Sequence, residues 1–99
     1  MGMNHLIFEW GDRKSVSNQQ KHGVSFDEAK SIFSDRFARL IADPDHSDDE
    51  DRFILLGTSI HSRLLIVCHC VRSNETICII SARKADKHER MIYEEFIHA

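Results

Sequence analysis

The sequence predicts one α+β domain, a small antiparallel β-sheet with helices packed on it, in the order β-α-α-β-β-β-β-α. Three observations carry this. Ninety-nine residues is the length of a single domain with one core, spanning residues 1–99. Apolar residues at helical spacing occur only near the two ends of the chain, while the period between them falls to two. The period-two segments are joined by very short turns, which only antiparallel hairpins accommodate.

Residues 6–10, Leu-Ile-Phe-Glu-Trp, read as a first strand. Residues 12–22 read as a mostly polar helix, stopped by Gly23 in the position after the last helical turn. Ser25-Phe-Asp-Glu28 reads as a capping box, with the serine accepting from one end and Glu28 reaching back. Phe26, Ala29, Ile32 and Phe33 then form an apolar stripe, and Val24 precedes the cap as a hydrophobic staple. Strands follow over residues 38–43, 52–59, 63–72 and 75–83, with turns at 60–62 and at Ser73-Asn74. Leu64 to Val71 is apolar on both alternations apart from His69, the pattern of a central strand covered on both faces. A last helix over 85–97 starts at an Asp86–Glu89 capping pair and turns Ile92 and Phe96 inward, with Tyr93 beside them. Phe8 and Trp10 read as core.

The apolar run from Leu64 to Cys68 is far too short to span a membrane, and the first ten residues, which carry Glu9, do not read as a secretory signal; a cytoplasmic protein is expected. Cys68, Cys70 and Cys78, an odd set, are expected as reduced thiols. The net charge of −3 hides an asymmetry. Six of the sixteen acids, Asp43, Asp45, Asp48, Asp49, Glu50 and Asp51, lie within residues 43–51; the other ten face thirteen Lys and Arg. Outside that acidic loop the chain is mildly basic, which permits a local nucleic-acid surface.

Several clusters carry candidate chemistry. Arg83, Lys84, Lys87, His88 and Arg90 join a strand end to a helix start, where side-chain cations and backbone N–H groups can meet a phosphate. The competing reading is a solvated, charged helix face. Lys21-His22-Gly23 puts a cation and an imidazole at a helix end, suited to proton transfer or simply to favourable contact with the helix dipole. Arg52 and Arg63 flank one hairpin and are placed to meet a phosphate on an open sheet face, or else to pair with the acidic loop. His46, His61, His69 and the cysteines match no metal-ligand spacing, so neither metal nor cofactor is expected.

Taken together the segments resemble a known family. The match runs through Phe8-Glu9-Trp10, Asn18 and the run Lys21-His22-Gly23-Val24-Ser25-Phe26-Asp27-Glu28-Ala29. It continues through Asp43-Pro44-Asp45-His46-Ser47, Glu50-Asp51-Arg52-Phe53, Leu56-Gly57-Thr58-Ser59 and Arg63-Leu64-Leu65-Ile66-Val67. It closes on Ile79-Ile80-Ser81-Ala82-Arg83-Lys84-Ala85, Glu89-Arg90 and Tyr93-Glu94. In order and spacing over about residues 8–95 this resembles the BrnT toxins of type II toxin–antitoxin systems. The Cys-His-Cys strand departs from that pattern, and Asp86 replaces the commoner Thr or Ser while keeping the capping chemistry. The resemblance implies a RelE-like fold with helices on one side of the sheet. It further implies a ribonuclease, hence a hydrolase, that slows translation and is neutralised by a BrnA-like ribbon-helix-helix antitoxin; DNA is then bound through the antitoxin complex, and no membrane is involved.

RNA supplies its own nucleophile, the ribose 2′-OH. A metal-independent endoribonuclease therefore needs a proton acceptor, cations for the phosphorane charge and a donor for the leaving oxygen. Arg83, Lys84 and Arg63 are the candidates for charge stabilisation, and His22 for general base or acid, with Glu50 and Tyr93 as alternatives. Lys21, Arg52, Lys87 and Arg90 are candidates for holding the RNA backbone. A shared site requires Arg63 and Arg83 on one face of the sheet. Two rival readings stand beside this one: a catalytically inactive module that docks with an antitoxin and serves transcriptional autoregulation, and a regulator that binds operator DNA by itself with steep salt dependence.

Overall fold

The computed structural model describes residues 6–41, 52–73 and 75–98. Its elements in chain order are β1 (Ile7–Glu9), α1 (Asp12–His22), α2 (Phe26–Ser31) continued by a 3₁₀ turn (Ile32–Ser34), β2 (Arg39–Ile41), β3 (Arg52–Thr58), β4 (Leu64–Ser73), β5 (Thr76–Lys84) and α3 (Lys87–Ile97). The acidic loop, with Glu50 and His46, lies outside the described residues.

The five strands lie in the order β1-β5-β4-β3-β2. β2 through β5 form an antiparallel meander, but β1 runs parallel to β5, with Phe8 beside Ile77. The expected all-antiparallel sheet is thus corrected to a mixed one. The reason is topological: β1 enters the sheet through the α1–α2 crossover and the whole meander, so no tight turn fixes its direction.

Helices cover both faces, which corrects the expectation of helices on one side. On one face α1 and α2 enclose the larger core of Val24, Phe26, Ala29, Ile32, Leu55, Leu65, Val67, Ile77, Ile79 and Ala82. Phe8 packs edge-on against Phe33 at 5.1 Å and Trp10 against Phe26 at 5.8 Å, sealing its rim. On the other face Tyr93, Ile92 and Ile97 of α3 cover Leu56, Leu64, Ile66 and Ile54. Residues 55 and 56, then 64 to 67, alternate between the two cores, as a two-sided central strand must.

The boundaries follow local chemistry. α1 ends at Gly23, whose φ of 68° is left-handed backbone that glycine adopts without strain, and its N–H donates to the Gln19 carbonyl at 2.8 Å. α1 is polar enough to bury one side chain, Asn18. The Asn18 amide donates to the carbonyls of Val24 at 3.0 Å and Ala82 at 2.9 Å, and its oxygen accepts from the Ala82 N–H at 3.0 Å. One side chain thereby fixes the α1–α2 corner onto β5. At Gly57, a Cβ would lie 3.0 Å from that of Ala38 and 3.2 Å from that of Ile32, so glycine lets the 3₁₀ turn pack directly on β3.

β5 carries a bulge. Cys68 pairs with Ser81, yet the adjacent His69 pairs with Ile79, leaving Ile80 as the extra residue. Before the bulge the odd residues Ile77 and Ile79 face α1 and α2; after it the even residue Ala82 does. Every side chain beyond Ile80 therefore lies on the face opposite to the one simple alternation assigns.

Candidate functional site

The bulge decides how the candidate cations are sorted. Arg83 stands opposite Ile66, on the α3 face, and Lys84 opposite Leu65, on the α1–α2 face. Arg63, at the start of β4, reaches α2 and the end of α1. The expected single site shared by Arg63 and Arg83 is corrected here: the two guanidinium groups occupy opposite faces at one end of the sheet. Counting by two from Ile79 puts Arg83 beside Arg63; the extra Ile80 reverses this.

Arg63 is clamped. Its Nε donates to Glu28 Oε2 at 2.9 Å, its Nη2 donates to Glu28 Oε1, and Nη2 also donates to the Gly23 carbonyl at 3.0 Å. Glu28 is buried and accepts a further hydrogen bond from Ser59 Oγ at 2.7 Å. These donors, Arg63 foremost, hold the Glu28 carboxyl below its usual range against the opposing effect of burial, and the Glu28 bond raises Arg63 in turn. The predicted capping box at α2 is half correct. Ser25 Oγ accepts from the Glu28 N–H at 3.0 Å, but the Glu28 carboxylate turns to Arg63 and Ser59 instead of back to the cap. The β3–β4 loop delivers both partners: Ser59 N–H donates to the Arg63 carbonyl at 2.8 Å and Ser62 takes a φ of 61° to close it.

On the other face Arg83 forms a two-pronged pair with Glu89, 2.8 Å at each prong, and donates to the Lys84 carbonyl at 3.2 Å. Glu89 closes a complete capping box with Asp86, so one carboxylate both starts α3 and holds Arg83. Arg83 is the main cause of the lowered Glu89 carboxyl. Lys87 and Arg90 stand exposed on the first turns of α3 beside this pair.

His22 and Lys21 are exposed at the end of α1, and with Lys14 they border a shallow depression floored by Ile80 and Ser81 of the bulge. Gly23, which follows His22, holds Arg63, so His22, Lys21 and Arg63 share one end of the α1–α2 face, while Lys84 ends β5 on that face opposite Leu65. Two other candidates do not join them. Arg52 stands opposite Cys70, six residues along β3 from the Arg63 loop, roughly 20 Å at strand rise. That separation keeps Arg52 from meeting one phosphate together with Arg63, the arrangement expected from the sequence. Tyr93 is buried; its hydroxyl donates to Asp35 Oδ2 at 2.6 Å and accepts from Thr58 Oγ1 at 3.1 Å. Burial and the Asp35 bond raise its ionisation above the usual phenol range. The structure thus places Tyr93 in a buried hydrogen-bond network, apart from the open end that His22 and Lys21 occupy.

Asp35 is the residue sequence reasoning missed. Besides Tyr93 it accepts the Thr58 N–H at 2.8 Å and the Phe37 N–H at 2.9 Å, tying the 3₁₀ turn, β3 and α3 together. Its signal was an acid placed where the helical period stops, too common a pattern to single it out. His69 and His61 do not approach one another: His61 is exposed in the β3–β4 loop, whereas His69 is buried edge-on against Phe33 at 4.9 Å, and that burial lowers its pKa. Among the described residues no three His, Cys, Asp or Glu side chains gather as a metal site requires, and no helix is long and apolar enough to cross a membrane.

Comparison with known proteins bears on this geometry. The chain's fold is similar to that of the Brucella abortus ribonuclease toxin BrnT, known from a 1.1 Å crystal structure, with a TM-score of 0.64 and 21% identity, covering 83% of this chain and 99% of that one. No curated protein matches the sequence. The family described as ribonuclease toxin, BrnT, of type II toxin–antitoxin systems matches residues 10–89. The chain belongs to that BrnT family of ribonuclease toxins, whose members are the toxin halves of type II toxin–antitoxin pairs.

Proposed function

We propose that this chain is a metal-independent endoribonuclease that cleaves RNA through the ribose 2′-OH, inhibits translation when free, and is neutralised in the cytoplasm by a BrnA-like ribbon-helix-helix antitoxin. The observation that carries the reading is the shared depression that His22, Lys21 and Lys14 of α1 line with Ile80 and Ser81 of β5, with Arg63 fixing the Gly23 carbonyl next to His22 and Lys84 further along β5. In this reading His22 takes the 2′-OH proton, and Lys21 and Lys84 meet the charge that develops on the phosphorane. Arg63 is a positioning residue, since Glu28 already occupies its fork. Arg83, Lys87 and Arg90 form a second cationic edge across the sheet end, suited to hold the RNA backbone rather than the scissile phosphate; Glu50, outside the described residues, is the alternative to His22 for the proton. DNA is contacted through the antitoxin in the assembled complex.

The test is cleavage of labelled RNA by the purified chain in EDTA. Products ending in a 2′,3′-cyclic phosphate, with a loss of about 10²-fold or more in His22→Ala, are the expected result. One feature favours a second reading, the inactive docking module: both arginines in the candidate sites are neutralised by the chain's own carboxylates. Intact RNA alongside undiminished antitoxin binding establishes that reading and overturns the first.

A further inference from the structure

At the end of the sheet away from the cationic loops, β4 and β5 set two thiols face to face. Cys70 and Cys78 are direct partners in the antiparallel register. Residues so paired have Cα atoms about 4.5–5.5 Å apart, inside the roughly 4.4–6.8 Å range that a disulfide spans. Both side chains are half-buried and lie on the α3 side of the sheet, beyond the Ile54, Leu56, Leu64 and Ile66 patch that α3 covers. Arg72 lies over them: its Nη2 is 3.8 Å from Cys78 Sγ, while its Nε is held by Glu9 at 2.8 Å. The guanidinium is thus fixed beside the Cys78 sulfur. Cys68 shares the face but is buried and opposite Ser81, and it lies two residues from Cys70 on the same strand with a parallel side chain, which disfavours bridging.

We propose that Cys70 and Cys78 form a redox modification site, a cross-strand dithiol that a hydroperoxide converts to a disulfide. The Cys78 thiolate attacks one peroxide oxygen; the O–O bond breaks, leaving Cys78 as a sulfenic acid and releasing water after protonation. The Cys70 sulfur then attacks the Cys78 sulfur and expels a second water. Two thiols lose two electrons and two protons, and hydrogen peroxide is reduced to two waters. In a reducing compartment the pair rests as dithiol, and oxidation is an event rather than a permanent staple.

The test treats the full-length chain with one equivalent of hydrogen peroxide and maps it under non-reducing conditions. Trypsin separates the sulfurs, because residues 64–72 carry Cys68 and Cys70 while residues 73–83 carry Cys78. The expected product has lost two hydrogen atoms, links those two peptides through Cys70 as fragmentation reads it, and reverts with dithiothreitol. Cys70→Ser leaves Cys78 as a sulfenic acid captured by dimedone. Arg72→Ala leaves the Cys70–Cys78 link unchanged, since the register of β4 and β5 sets the pairing. Linkage through Cys68, intermolecular dimers alone, or oxidation to sulfinic acids with no linked peptide overturns the proposal.

Discussion

Arg63→Ala is the substitution a search for toxin function reaches first, and its effect on stability can be worked from the structure. It removes the two-pronged partner of Glu28, a carboxylate only 5% exposed, and leaves Ser59 as its remaining side-chain donor. Breaking a fully buried pair from one side costs about 3–5 kcal/mol. Arg63 keeps 34% of its side chain in solvent, and water entering its place screens the orphaned charge, so the expected cost is about 2–3 kcal/mol. That is a large share of the roughly 5–15 kcal/mol that holds a domain of this size together. A Glu28 carboxyl held low contributes stability that is present above its unfolded pKa and is lost as pH falls through its folded value. In Arg63→Ala the carboxyl loses its main cause of depression while burial still raises it. The gap between variant and wild type therefore narrows as pH drops through the carboxylate range, because the buried group is relieved by protonation. Urea unfolding at pH 7 and pH 4 measures both effects. A gap under about 0.5 kcal/mol at pH 7, or one that widens on acidification, refutes the reasoning. A double change, Arg63→Met with Glu28→Leu, should recover most of the loss. Lost toxicity in Arg63→Ala alone therefore does not identify a catalytic group.

Three further outcomes are expected. Asn18→Ala strips three buried backbone groups of their partners at the α1–β5 contact and should cost about 2–4 kcal/mol, read as a melting temperature lower by roughly 10 °C or more. Gly57→Ala drives a methyl group against Ala38 and Ile32 and should destabilise by about 1–3 kcal/mol in denaturant unfolding. Tyr93→Phe removes one hydroxyl shared by Asp35 and Thr58; a cost of about 1 kcal/mol with RNA cleavage per folded molecule unchanged is the expected result, and a loss of cleavage above tenfold returns Tyr93 to the chemistry.

Local signals were legible in the sequence wherever a residue serves its own neighbourhood. Gly23 ends α1, Ser25 and Asp86 cap the following helices, and the apolar double alternation of β4 announces a two-sided strand. Legibility failed where a residue is taken over from afar. Glu28 has the spacing of a capping box, but Arg63, thirty-five positions on, is the stronger partner for a buried carboxylate. Asp86–Glu89 keeps its box because Arg83 approaches the same carboxylate without displacing the cap N–H. The face assignment of Arg83 failed for a different reason: a bulge inserts one residue with no composition of its own, since Ile80 reads as an ordinary strand residue. The direction of β1 was hidden likewise, because its partner β5 lies most of the chain away.

The parallel pairing of β1 with β5 has a consequence for synthesis. β1, α1 and α2 come early in the chain, yet most of the surface they pack on belongs to β4 and β5, which leave the ribosome well after them. Asn18 meets its partner Ala82 only after sixty-four further residues have been made. Contacts so distant in sequence slow folding and leave the early apolar segments unsheltered in the meantime. A half-made chain thus has neither core nor assembled cationic face. Any partner that reads this folded surface can first recognise it only after β5 has been made.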